Sequence, residues 1–337
     1  MRCRALLVLF TACACLFAAT PPKARVVRQK AKRTTTVSWS ADEVNNPATK
    51  AEVGPKSQGA ATLRSQILLN RAHYSVGEID GLFGDNMTAV INAYQQDHNL
   101  PVTGKVDSAT WDALNSDTAP ALNAYTVTED DVNYKFTQIP PEMKDQAALP
   151  ALNYQNVAEM LGERFHCSPK LLERLNPEKN VEMPGTQLTV PNVADQGTMP
   201  KAAQVRVQKS TKLVTALDDN GKTIAVYPAT MGSEHDPLPI GDWRIVDVMH
   251  NPPFYYNPAL FWDAKPGDTK MKLPPGPNGP VGVVWMGLSK EHYGIHGTPE
   301  PSTIGHTESH GCIRLTNWDA AQLSTMVKVG TPAHLVE

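Results

Sequence analysis

Charge is in short supply in this chain. Charged residues make up 19% of its 337 residues and leave a formal net charge of −3. No basic excess exists, so neither nucleic acid nor an anionic membrane is expected as the main partner. Cysteine is scarce too. Three of the five, Cys3, Cys13 and Cys15, crowd into the first fifteen residues, leaving Cys167 and Cys312 for the rest. Long apolar runs are missing: the longest, residues 5–19, falls short of the roughly 20 residues that cross a bilayer. No transmembrane span is therefore expected in a mature chain. Proline, by contrast, is plentiful at 28, which suits linkers, extended loops and edge strands. Hydrophobic content of 41% is ordinary for a chain with a real core, and the length suggests two or more domains.

Arg2 and Arg4 precede the apolar run, and Pro21, Pro22 and Lys23 end it. This is the layout of an export signal over 1–19, with cleavage near Ala19. Residues 9–13 faintly resemble a lipoprotein signal with Cys13 as the anchor. Phe10 stands where leucine is usual, and simple cleavage is the preferred reading. Residues 20–58, rich in Lys, Arg, Thr, Ser, Pro and Ala, lack an apolar period and are expected to be a flexible linker.

A helical unit is expected over 59–118. Leu63, Ile67 and Leu68 have helical spacing, glycines at 77, 81 and 84 mark a turn-rich loop, and Val90 and Tyr94 restart a helix. Asp107 or Ser108 is a fair N-cap for a last helix bearing Trp111 and Leu114. Over 122–192 a strand starts at Tyr125, helices are expected around 157–161 and 171–175, and a turn at Pro184-Gly185 leads into a second strand. Cys167 falls between the two helices as a small buried residue. From 201 to 337 the texture changes to strands, with Asp219-Asn220-Gly221 as a hairpin turn. Residues 251–280 form a long Pro- and Gly-rich loop of the kind that usually serves function; its aromatics either cover a cleft or pin the loop down.

The densest chemical signal is Tyr293-Gly294-Ile295-His296-Gly297-Thr298 followed by Ser309-His310-Gly311-Cys312-Ile313-Arg314-Leu315. One thiol with two histidines reads as a nucleophile with candidate bases. A histidine partner can draw a cysteine pKa down to roughly 3.5–7.5 and make the thiolate–imidazolium pair the resting state. Gly311 lets backbone N–H groups approach a carbonyl, and such oxyanion donors are worth about 2.7–4 kcal/mol each. Three plainer readings compete: a metal site from His296, His306, His310 and Cys312, a Cys312–Cys167 disulfide, and an inert buried thiol. The metal reading lacks the helix and carboxylate of a zinc-protease motif.

These two stretches, together with Pro239-Ile240-Gly241-Asp242-Trp243, resemble the catalytic domain of the YkuD-type L,D-transpeptidases. The turns around Gly81 and Gly104 resemble a three-helix peptidoglycan-binding domain, and 122–192 resembles a diverged LysM module, departing from it by the insert at 133–154. The resemblance implies a multidomain α+β chain: a small three-helix unit, a LysM-like βααβ module, and a predominantly β, sandwich-like catalytic domain over 201–337. It further implies Cys312 as nucleophile, His296 as general base and then acid, and His310 as a third catalytic residue. Gly311, Ser309, Arg314, Gly297 and Tyr293 would serve the oxyanion and substrate side. No metal or organic cofactor is needed. The partners would be peptidoglycan stem peptides and glycan, with an acceptor amine on a second stem or a wall protein, in the periplasm. The same thioester resolved by water would instead make a carboxypeptidase or amidase, and a non-catalytic wall-binding scaffold is the reading of another class. The helical unit is expected to act as a separable binding module that raises local substrate concentration.

Overall fold

The computed structural model describes residues 39–193 and 197–337. The export segment, Cys13 and the first part of the linker lie outside the described residues.

The helical unit opens earlier than expected. Helix α1 (Ala41–Asn45) is capped by the Ser40 side chain, and Trp39, Val44 and Val53 are all buried. Val53 and Val106 exchange backbone hydrogen bonds of 3.1 and 2.9 Å. The flexible-linker reading of 20–58 therefore fails for its described part. These three apolar residues are too far apart to show a period, and each fills a separate slot in the next domain. Helices α2 (Ala60–Arg71), α3 (Asp85–Asp97) and α4 (Ser108–Leu114) follow. Leu63, Ile67, Val90, Ile91, Tyr94 and Trp111 meet in their core. Asp107 caps α4 by accepting from Thr110 N at 2.9 Å.

Next come β1 (Leu122–Thr126), short helices α5 (Glu129–Val132) and α6 (Met143–Gln146), then α7 (Val157–Arg164), α8 (Pro169–Leu175) and β2 (Gln187–Pro191). Strands β1 and β2 pair antiparallel from Leu122↔Pro191 to Thr126↔Gln187, giving a βααβ unit with the short helices added. Asn156 and Ser168 cap α7 and α8, and Pro169 sits at the first helical position, where its missing N–H costs nothing.

The last part is strand-rich: β3 (Gln204–Gln208), β4 (Leu213–Leu217), β5 (Thr223–Pro228), β6 (Thr230–Met231), β7 (Gly241–His250), β8 (Phe254–Tyr256), β9 (Met271–Leu273), β10 (Val284–Leu288), β11 (Gly294–His296), β12 (Ile313–Arg314), helix α9 (Asn317–Met326) and β13 (Pro332–Val336). Among the described residues one sheet runs β5-β4-β3-β13-β7-β10-β11-β12-β6. Val205, Val214 and Tyr227 from one end share a single core with Met286, Ile295 and Ile313 from the other, and with Leu323 of α9. The sheet therefore folds over its own core as a sandwich-like layer pair. The expected hairpin is present: Asp218 N donates to Lys222 O, and Gly221 turns with φ 76°.

The long 251–280 loop is partly ordered by β8 pairing with β9. Tyr256 and Leu273 bury against Leu152, with Ile139, Leu149, Phe254 and Phe261 around them. So the 133–154 insert and this loop, which look unrelated in sequence, build one small core. Leu152 N donates to Pro275 O and Asn278 N to Leu152 O, both at 2.9 Å. A Cβ on Gly276 would collide with the Leu152 carbonyl.

The start of α9 ties the chain together. Asn317 Nδ2 donates to Glu163 Oε1 of α7 at 2.8 Å, Trp318 stacks on His166 at 5.3 Å between centroids, and Asp319 Oδ2 accepts from Ser75 Oγ at 2.9 Å. Three consecutive residues thus grip both upstream units. A separable binding module does not describe this arrangement: the helical unit is packed onto the strand-rich domain.

Candidate active site

Strands β11 and β12 run parallel with Ile295 beside Ile313 and His296 beside Arg314. Ile295, Ile313 and Leu315 are fully buried and anchor both strands. Because strand side chains alternate, this register turns His296, Cys312 and Arg314 to the opposite face. Leu315 N closes the junction by donating to His296 O at 2.8 Å.

His296 is 4% exposed. Its Nδ1 lies 2.7 Å from Gly297 O. A carbonyl can only accept, so Nδ1 carries the proton and Nε2 is left as the basic nitrogen. Burial first, then Arg314, against the pull of the Gly297 hydrogen bond, together lower the imidazole pKa to about 4. Trp285, on β10, stacks on the ring at 5.5 Å between centroids and supplies part of that burial. The sequence offered no signal for it beyond an apolar run; Gly294 makes room, since a Cβ there would lie 2.6 Å from the indole.

The half-buried Cys312 thiol is pushed above its ordinary value by burial, with Asp236 adding to the rise and the Gly294 N–H and Arg314 pulling back. Both shifts favour neutral partners. Both run against the expected resting thiolate–imidazolium pair, because burial penalises each charge; Cys312 Sγ itself donates to His292 O at 3.6 Å. Arg314 itself is lowered by burial, while Cys312 and Glu300 favour its charge. Asp236 is a second group that sequence reading missed.

Gly311, Ser309, Gly297 and His310 are each held by close contacts of their own. Gly311 adopts φ 92° against the Tyr293 ring, with which any Cβ would collide. Ser309 Oγ donates to Cys312 O at 2.6 Å and accepts from Gly232 N at 2.8 Å, bracing the loop. Gly297 presses on Asn317, again with no room for a Cβ. His310 Nε2 meets Asp263 Oδ1 at 2.9 Å, and its ring meets Phe261 edge-on at 4.9 Å. It ties the 251–280 loop down. His235 stacks on Trp262 at 4.4 Å, extending this roof. Of the loop aromatics, Phe254, Tyr256 and Phe261 pin the loop, while Tyr255 and Trp262 are 67% and 60% exposed.

Cys167 and Cys312 are both free. Cys167 is buried beside Ile79, and burial raises its thiol far above the ordinary value. Among the described residues no group of three or more His, Cys, Asp or Glu is placed to hold one metal ion.

Comparison with known proteins fits this geometry. The family model for the YkuD L,D-transpeptidase catalytic domain matches residues 202–335, and that for the peptidoglycan binding domain matches 58–114. A Bacillus subtilis protein named as the L,D-transpeptidase YkuD is 30% identical over 168 residues, covering 50% of this chain and 85% of that one. Its Bacillus licheniformis namesake is 29% identical over 175 residues, covering 51% and 89%. The Escherichia coli protein named as the L,D-transpeptidase ErfK/SrfK is 29% identical over 168 residues, covering 48% and 53%. The chain belongs to the YkuD family of L,D-transpeptidases, with a peptidoglycan-binding domain ahead of the catalytic one. No helix among the described residues is long and apolar enough to cross a membrane.

Proposed function

We propose that this protein cuts an L,D peptide bond in a peptidoglycan tetrapeptide stem and passes the acyl group to an amine. The observation that supports the reading is the β11–β12 register, with a buried His296 of fixed tautomer beside Arg314, two residues along from Cys312. His296 Nε2 accepts the thiol proton as sulfur bonds to the carbonyl carbon. Backbone N–H groups at Gly311 and Cys312 receive the developing oxyanion. Collapse breaks the C–N bond, and His296 returns the proton to the departing D-alanine amine, leaving a thioester. An acceptor amine then attacks, gives its proton to His296, and the thiolate recovers it as it leaves. Arg314 offers positive charge to the substrate, and Tyr293 and Ser309 hold the loop that carries the nucleophile.

The setting is the periplasm and cell wall after export by the 1–19 segment. The helical unit and the LysM-like βααβ unit would hold glycan near the site. The test pairs the protein with Cys312→Ala on a disaccharide-tetrapeptide, read by mass spectrometry. The expected product is a dimer of two stems less one alanine, absent with the variant. Tripeptide alone would replace transfer by hydrolysis, and an unchanged substrate would sink the reading.

A further inference from the structure

The catalytic strands lean on a residue that lies outside the catalytic domain. Asn317 Nδ2 donates to Glu163 Oε1 at 2.8 Å and to Pro277 O at 3.1 Å. Its Oδ1 accepts from Val283 N at 3.1 Å. The same Oδ1 abuts Gly297 and Gly282 so tightly that neither could carry a Cβ. Gly297 in turn supplies the carbonyl that fixes the proton on His296 Nδ1. One turn earlier on α7, Glu159 Oε1 accepts from Asn278 Nδ2 at 2.6 Å. Two carboxyls at i and i+4, on one face of a helix, therefore brace the turn behind His296.

We infer that Glu163 of the upstream βααβ unit is a positioning residue for His296, acting through Asn317 and the Gly297 peptide. The inference deepens the reading above and rests on it. The physical argument is one of constraint. An amide that donates twice and accepts once has a single orientation, and Glu163 supplies the only one of those three contacts that comes from upstream. Without it, Asn317 is held only by Pro277 O and Val283 N, both at 3.1 Å, and the wall behind the Gly297 peptide loosens. A general base displaced by about 1 Å loses up to roughly 100-fold in rate. The upstream unit then does more than hold glycan: it completes the geometry of the base.

The experiment uses the full chain with Glu163→Gln and Glu163→Ala. Gln keeps the acceptor oxygen and should keep acylation of Cys312 by a carbapenem probe within about threefold, whereas Ala should slow it roughly 10- to 100-fold. The Ala variant should lose kcat on tetrapeptide with KM held, because no substrate contact is removed. NMR titration of the His296 ring should show its pKa rising in Ala and unchanged in Gln. Thermal melts confirm that both variants are folded. An Ala variant with wild-type acylation and an unmoved His296 titration overturns the inference, as does Gln failing as badly as Ala. Should the wild-type protein itself not acylate, the functional reading falls, and the His296 titration still decides this one.

Discussion

At the residue scale the controlling fact is that burial acts on Cys312 and His296 together. With the imidazole lowered to about 4 and the thiol raised, the neutral pair persists across the range between. Protonation of His296 removes the base, so the acylation rate should hold steady through neutral pH and fall as pH drops through about 4. A stopped-flow pH profile with an acid limb near 6.5 would contradict this account. Trp285→Ala opens the stacked face of the ring to water and relieves part of the burial. Its acid limb should move up toward the ordinary histidine value, with the fold retained in a thermal melt. His296→Ala should cost acylation roughly 100- to 10,000-fold, the usual span for a lost general base.

At the scale of elements, single contacts decide whether neighbouring pieces dock. The 133–154 insert and the 251–280 loop meet at Gly276, whose φ of 147° and contact with the Leu152 carbonyl exclude any side chain. Gly276→Ala should destabilise the chain by about 1–3 kcal/mol through overpacking, measured by urea unfolding. The loop is also held by His310 on Asp263, so this variant should raise KM for peptide more than it lowers carbapenem acylation. Asp107→Ala removes the cap of α4 and should cost about 1 kcal/mol. That change lies in the helical unit and should leave the pH profile of acylation unmoved.

At the scale of the whole molecule, the junction between units holds three desolvated carboxyls. Burial, the first cause in each, raises Glu163 to about 8 and both Glu78 and Asp319 to about 7. A carboxyl kept neutral in the fold but ionising near 4.5 when unfolded stabilises fully only below that value. Its contribution drains away as pH climbs to the folded value. His166 and His296, lowered by burial to about 3 and about 4, act in the other sense below about 6.5. Between pH 6.5 and 8 the carboxyls are therefore the main influence, and the melting temperature should fall as pH rises. Glu163→Gln should flatten the upper part of that slope and Asp319→Asn the lower part. A melting temperature that climbs across this window would refute the junction as described. Deleting the 60–114 helices strips Ser75 from Asp319, so the truncated chain should melt lower as well as bind wall poorly.

Much of this was legible before any coordinates. The Asp107 cap, the Gly221 hairpin and the strand texture beyond residue 201 are local, and local rules found them. The His296 and Ser309–Leu315 stretches pointed to the proposed chemistry because a candidate nucleophile, a candidate base and glycine stand close along the chain. By itself, then, the sequence determined the family, the candidate reactive groups and which segments are helix or strand, since these depend on near neighbours. Only tertiary structure decided the rest. Trp285 and Asp236 act on His296 and Cys312 from 11 and 76 residues away along the chain, and Glu163 meets Asn317 from 154 residues away. Residues 39–58 became part of a core through isolated apolar side chains that show no period. The shifts of Cys312 and His296 run against the expectation because burial is a property of the packed molecule, and no spacing of residues along a chain records how much water the fold will exclude.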